Sequence, residues 1–393
     1  MSLLGHIQHL SKNIGPRGST TENEAKAADY VAEQLMSLSL QPTREPFLSR
    51  TSAYSPYMVA TGGALLGLFL FWQPQPVGAA AAAVITFVVL ISVLRELSFQ
   101  DNPLRWIVPT DYSQNVALTV SGQEPALPPV LITAHIDSHR TPLLFSSRGW
   151  RQLFHVLMPV GLVCIGVLLV LFVVGTIVDA RELRQIALVP GAVVLALFAL
   201  FVQAARSPFT KGANDNASGV AVALDLAERL RDQPLRKRDV ILAFTGCEEV
   251  GAYGVEAFID AHRDRLRGAI HLVIDHVGGR AGHDDGPCVI RSERFFRRVE
   301  GDTQLLGIAD SMIAAHPDLH ARTNHFDLAY SELTVGAKHG LRIIGLMGLT
   351  PDGTLPNWHV PGDTIDNIDE ATAQRAADFA WHFLRALDEA DKA

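Results

Sequence analysis

Val240-Ile-Leu-Ala-Phe244-Thr-Gly-Cys-Glu248-Glu249 is an apolar run that ends on two adjacent carboxylates. A short run without alternation reads as a strand buried on both faces. Residues 130–136, 271–274 and 341–346 have the same form. Helix-period segments lie at 217–231 and 251–263, and an amphipathic C-terminal helix is expected over 368–391. Upstream, Thr21-Glu-Asn-Glu24 reads as a capping box that opens a helix to about Leu40, with Ala28, Val31, Ala32 and Leu35 on one face. Strands alternating with helices predict an α/β fold, a three-layer sandwich with a mostly parallel central sheet. In such sheets ligands bind at the carboxyl ends of the strands.

Apolar residues are in excess over what this domain needs. Of 393 residues 48% are hydrophobic and 19% charged, against about 25% charged in an ordinary soluble domain. The net charge of -8 excludes the basic footprint of a nucleic-acid binder. Three cysteines, Cys164, Cys247 and Cys288, exclude a disulfide framework. The excess is concentrated. Residues 51–94 contain no Asp, Glu, Lys, Arg or His. Within them, runs 57–72 and 77–94 are split by Gln73-Pro74-Gln75-Pro76, and runs 156–178 and 186–205 are split by residues 179–184. A bilayer span needs roughly 20 helical residues. The expectation is two inserted transmembrane helical hairpins, 51–94 and 153–205, with four spans in the lipid bilayer. The first run is short and Gly-rich, and reads as re-entrant or as flanked by interfacial Tyr57 and Trp72. Residues 1–50, 95–152 and 206–393 together make the remaining domain.

Residues 1–12 lack an apolar core, so no cleavable signal peptide is expected. Arg44, Arg50, Arg95, Arg105, Arg140, Arg148, Arg151, Arg206 and Lys211 lie near the spans on the domain side, and Arg181 and Arg184 on the other. Positive-inside logic places the domain in the cytoplasm.

Polar residues stand at the strand ends. They are His135-Ile-Asp137-Ser138, Glu248-Glu249, Asp275-His276, the turn Gly212-Ala-Asn-Asp215-Asn-Ala-Ser-Gly219, and Asn357-Trp-His359-Val-Pro-Gly-Asp363-Thr364. Carboxylate and imidazole are zinc ligands, and charges at the end of a buried strand need a partner or a metal. No His-Glu-x-x-His, Gly-x-Ser-x-Gly or P-loop string is present. Asn216-Ala-Ser218 matches a glycosylation sequon by chance, and Cys247 reads as a small buried filler.

The strings Ala134-His-Ile-Asp-Ser138, Gly212–Gly219, Phe244-Thr-Gly-Cys-Glu-Glu249, Ile274-Asp275 and Trp358-His359, in this order, resemble the co-catalytic zinc aminopeptidase family. That family includes bacterial leucyl-type aminopeptidases, glutaminyl cyclases and the glutamate carboxypeptidase/transferrin-receptor branch. The resemblance extends to the helix from Lys26 to Leu35. It implies two zinc ions: His135 and Asp275 on one, Glu249 and His359 on the other, Asp215 bridging. It further implies that Asp137 orients His135, and that Glu248 is the general base acting on a peptide substrate. Glu248 must stay off the metal, because it carries the proton from water to the leaving amine. His283-Asp-Asp285, His139, His276, His325 and His339 are the less well placed candidates for ligands. Two departures bear on substrate preference. Val255 replaces the family's serine after Gly254, and Ser331-Glu332 stands for its Ser-Asp. The leading function is a membrane-bound zinc aminopeptidase; the competitors are a single-zinc glutaminyl cyclase and a non-catalytic receptor of the same fold.

Overall fold

A computed structural model describes residues 1–73, 76–98, 100–280, 286–295 and 297–390. Its strands in chain order are β1 (Thr43–Arg50), β2 (Thr110–Val120), β3 (Val130–His135), β4 (Val240–Thr245), β5 (Ile270–Asp275), β6 (Cys288–Arg294), β7 (Arg298–Glu300), β8 (Arg322–Phe326) and β9 (Arg342–Met347). The helices are α1 (Leu3–Gln8), α2 (Glu22–Ser37), α3 (Ser55–Phe71), α4 (Val77–Glu96), α5 (Arg148–Gly175), α6 (Arg181–Arg206), α7 (Gly219–Asp232), α8 (Tyr253–Ala261), α9 (Thr303–Ala315), α10 (Glu332–Lys338) and α11 (Glu370–Ala390). The chain divides into two units, residues 1–49, 111–139 and 209–393, and residues 50–110 and 140–208.

The first unit is built on a nine-stranded sheet in the order β1-β2-β4-β3-β5-β9-β6-β7, with β8 beside β6. The expectation of a mostly parallel sheet is corrected: the sheet is mixed. The four strands read from the sequence, β4, β3, β5 and β9, are mutually parallel. Around them β2 runs antiparallel to β4, and β6 antiparallel to β9 and β7. The cause is chemical. Every residue of β3, β4 and β5 is buried, whereas β1, β6 and β7 carry arginines and glutamates on exposed positions. Strands of that composition lack the continuous apolar signature.

Alternation divides the central strands between two helical layers. Ile132, Ala134, Leu242, Phe244, Leu272 and Ile274 enter one core with Val220, Leu224, Phe379 and Phe383 of α7 and α11. The intervening Thr133, Thr245 and His271 face α10. Thr245 Oγ1 donates to Glu332 Oε1 at 2.5 Å, and a Cβ on Gly336 would stand 2.3 Å from His271 Nδ1. This places the helix hard against β5.

In the second unit α3 packs on α4 and α6, and α5 on α4 and α6. Small residues allow the close approach: a Cβ on Gly175 would meet Phe71 at 2.2 Å, and one on Gly191 would meet Leu68 at 2.4 Å. Outward positions are apolar, as at Phe69, Val163, Ile177 and Val189. Helices α4, α5 and α6 are long and apolar enough to cross a membrane; α3, with 17 residues, is shorter.

Candidate metal centre

The carboxyl ends of β3, β4 and β5 converge on one buried site. His135 ends β3 and Asp275 ends β5. Glu248 and Glu249 follow β4 after Cys247, which sits at φ +55°. Asp215 lies in the turn that opens with Gly212 at φ +60° and leads into α7; its peptide bond to Asn216 is cis. Asn216 ties this turn to β5: its Nδ2 donates to Ile274 O at 2.9 Å, and its Oδ1 accepts from Gly219 N at 2.9 Å. Asn216 is fully buried, with its side chain committed to these bonds.

His135 Nε2 is 3.2 Å from Asp215 Oδ1 and 3.5 Å from Asp275 Oδ1. His359 Nε2 is 3.2 Å from Asp215 Oδ2 and 3.3 Å from Glu249 Oε2. Donor atoms of His135, Asp215 and Asp275 thus converge in one group, and His359 lies against both Asp215 and Glu249. Tetrahedral zinc with bonds of 2.0–2.1 Å sets its ligands about 3.3 Å apart, and all four distances lie near that value. Asp215 Oδ2 accepts no hydrogen bond of good geometry although the His276 and His359 nitrogens stand 3.2 Å away. Glu249 Oε1 is likewise buried without a hydrogen bond. Donor lone pairs that converge without sharing a proton fit a cation between them. The donor set, all oxygen and nitrogen, fits zinc.

Electrostatics points the same way. Burial, reinforced by neighbouring carboxylates, pushes Glu248 and Glu249 well above the usual carboxylate range. Burial works against ionisation of Asp215 too, but the imidazoles of His276, His135 and His359 hold it well below its ordinary value. Asp363, which accepts from the backbone N–H of Asn214 at 2.7 Å and of Asp215 at 3.2 Å, is pushed up to about 7 by burial. So many buried acids in one site call for bound positive charge.

Asp137 holds the β3 and β4 ends together. Its Oδ1 accepts from Glu248 N at 3.1 Å and lies 3.3 Å from His135 Nδ1. Its Oδ2 accepts from Ser19 Oγ at 2.6 Å and Glu249 N at 3.1 Å. Glu24 accepts from Cys247 N at 2.8 Å, Ser113 Oγ at 2.9 Å and Thr20 N at 2.7 Å. In the capping box, Thr21 Oγ1 accepts from Glu24 N at 3.4 Å, while the Glu24 carboxylate serves the turn before Glu248.

Two histidines weighed lightly from the sequence lie in the site. His276 Nδ1 is 2.9 Å from Asp275 Oδ1. The His139 ring stacks on His359 at 3.6 Å with a 20° interplanar angle. His139, Glu249 and His359 can bring one donor atom each close together, but face-to-face rings aim their lone pairs along near-parallel lines. One ion cannot lie in both ring planes, so His139 braces His359. His325 and His339 lie away from this cluster: His325 bonds Ser292 at 2.7 Å, and His339 contacts Glu256 at 3.1 Å. His283 and Asp285 lie outside the described residues. Arg17 and Asp363 received no role from the sequence, and Glu24 only that of a helix cap; an arginine between Pro16 and Gly18 and an aspartate after Pro361-Gly362 were the available cues.

Residues 199–384 match Peptidase family M28. Aminopeptidase YwaD of Bacillus subtilis (strain 168) is 37% identical over 73 residues, 18% of this chain and 16% of that relative's length. The fold is similar to that of BSAP, a zinc aminopeptidase from Bacillus subtilis, with a TM-score of 0.57 and 15% identity over 100% of this chain and 95% of that one. It is similar to Tannerella forsythia glutaminyl cyclase, with a TM-score of 0.56 and 13% identity over 98% and 97%. A leucine aminopeptidase precursor from Bacteroides thetaiotaomicron VPI-5482 gives a TM-score of 0.55 and 12% identity over 98% and 96%. The residues that match this family, 199–384, carry Asp215, Glu248, Glu249, Asp275 and His359.

Proposed function

We propose that the protein is a membrane-bound zinc metallopeptidase, an aminopeptidase that hydrolyses N-terminal peptide bonds. The observation that carries this reading is the converging His135–Asp215–Asp275 group with His359 bridging from Asp215 to Glu249 beside it. His135, Asp215 and Asp275 would hold one zinc ion; Asp215, Glu249 and His359 would hold the second. Zinc bound there supplies a Lewis acid and brings the pKa of a coordinated water down to about 7. Glu248 is the general base: it takes the proton from the attacking water and passes it to the leaving amine. Burial and neighbouring carboxylates, by raising its proton affinity, suit it to that transfer. Asp137 orients His135 and fixes the turn that presents Glu248 and Glu249. An acid-rich pocket suits the cationic N-terminus of a peptide.

Residues 1–50, 95–152 and 206–393 form the peptidase domain, and 51–94 and 153–205 cross the bilayer as two hairpins. Metal ligands on both sides of the second insertion must meet in one centre, so that insertion crosses an even number of times, and the first does too because β1 before it pairs beside β2 after it. The short α3 then spans with the help of interfacial Tyr57 and Trp72, which makes four spans in all. A cytoplasmic active site is supported by nine Lys or Arg near the domain-side ends against two on the other side.

A single-zinc glutaminyl cyclase is the competing reading, favoured by the fold likeness to such an enzyme. The complete triple at Asp275 supports the two-zinc aminopeptidase. Aminoacyl chromogenic amides and N-terminal glutaminyl peptides, offered separately to the purified protein, test it: cleavage of the amides is expected, and cyclisation without cleavage would overturn the aminopeptidase.

A further inference from the structure

Arg17 is fully buried and is the largest side chain in that condition. Its guanidinium donates to five backbone carbonyls. Nε donates to Ile136 O at 2.9 Å. Nη1 donates to Leu10 O at 3.0 Å, Gly15 O at 3.2 Å and Lys211 O at 2.8 Å. Nη2 donates to Gly212 O at 2.8 Å. The main chain adds two bonds: Arg17 N donates to Ser138 Oγ, and Ser138 N donates to Arg17 O, both at 3.0 Å.

These partners fall in three segments that meet only in the fold. One precedes α2. One is the end of β3, where Ile136 follows His135. The third is the start of the Asp215 turn, where a Cβ on Gly212 would stand 2.7 Å from Arg17 Nη2. The second apolar insertion, residues 153–205, interrupts the chain between the last two of these segments. The seam is closed by Thr210 N donating to His139 O at 2.8 Å and Ser138 Oγ donating to Thr210 O at 3.1 Å. The chain between the two ligand-bearing segments is therefore too long to hold them in register, and side-chain bonds must do so. A buried cation that donates to neutral carbonyls is costly. It is offset by its proximity to the charges of Asp363, Asp137, Asp215 and Glu249.

We propose that Arg17 is a positioning residue of the metal centre. It clasps the strand end bearing His135 to the turn bearing Asp215 across the insertion, and lends them counter-charge. This rests on the zinc reading above. Lysine keeps the charge but has at most three donors on a point-like head; methionine keeps length and loses both.

The test uses the full chain in detergent: wild type, Arg17→Lys, Arg17→Met, and Leu230→Ala as a control for destabilisation in the α7 core. Zinc dissociation constants are read by chelator competition well below each melting temperature. Arg17→Met is expected to weaken zinc roughly 10–100-fold, the effect of losing a group that orients a ligand, with Arg17→Lys between it and wild type. Leu230→Ala is expected to melt lower with zinc affinity unchanged. Wild-type affinity in Arg17→Met, or equal loss in Leu230→Ala, would overturn the inference. If Arg17→Met does not fold, Arg17→Lys decides: wild-type affinity in it overturns the clasp. A wild-type chain without zinc removes the zinc reading and this inference together, whereas zinc binding insensitive to position 17 removes this inference alone.

Discussion

Replacing Asp137 by Asn keeps the shape of the side chain and removes one acceptor. Each carboxylate oxygen serves a backbone N–H, Oδ1 that of Glu248 and Oδ2 that of Glu249, both at 3.1 Å. An amide offers one oxygen. If its NH₂ takes the Oδ2 place, it faces the Glu249 N–H, and only the Ser19 hydroxyl can turn to accept. If it takes the Oδ1 place, it faces the Glu248 N–H and the edge of His135 3.3 Å away. Either orientation sets a donor against a donor in a site that is 0% exposed at Asp137. A buried donor left unsatisfied costs about 1–3 kcal/mol, and the charge lost from the pair with His135 adds to it. At 1.4 kcal/mol per decade, zinc affinity and kcat fall roughly 10–100-fold, in line with the loss of groups that orient metal ligands. Chelator competition measures the first, and initial rates on an aminoacyl amide the second. An Asp137→Asn chain whose zinc affinity and kcat stay within about threefold of wild type would refute the role given to Asp137.

Glu248→Gln keeps its zinc and loses roughly 10²–10⁴ in turnover; loss of zinc from this variant, by elemental analysis, would make Glu248 a ligand instead. Burial pushes the Glu293 carboxyl up to about 7 from its ordinary 4.5. The folded state therefore binds the extra proton between those values, and stability falls as pH rises through that window by up to roughly 3 kcal/mol. In Glu293→Gln, thermal melts at pH 5 and pH 8 move closer together than in wild type; an unchanged gap contradicts the assignment. Reporters at the C-terminus and after Arg181 are expected to read cytoplasmic and external respectively. The reverse pair overturns the orientation, and both on one side removes the four spans.

What could be read in the sequence follows from the range of the forces involved. β3, β4, β5 and β9 were legible because burial on both faces writes a continuous apolar run, and the residues that end those runs had no apolar reason to be there. β2 and β6 were not, because they pair antiparallel at the flanks of the central strands and mix polar with apolar residues. Asp363 bonds the Asp215 turn from 148 residues away, Arg17 bonds Gly212 from 195 residues away, and Glu24 bonds Cys247 from 223 residues away. No local spacing encodes such partners. His139 failed for a related reason: its stacking on His359 exists only after the chain has folded.

The central claim is a two-metal centre bridged by Asp215. It is tested most directly by counting zinc in protein purified without chelator, for wild type and for Asp275→Ala. The account predicts two zinc ions per wild-type chain and one in the variant, because Asp275 serves only the His135 side. One or no zinc in the wild type, or two in the variant, would contradict it.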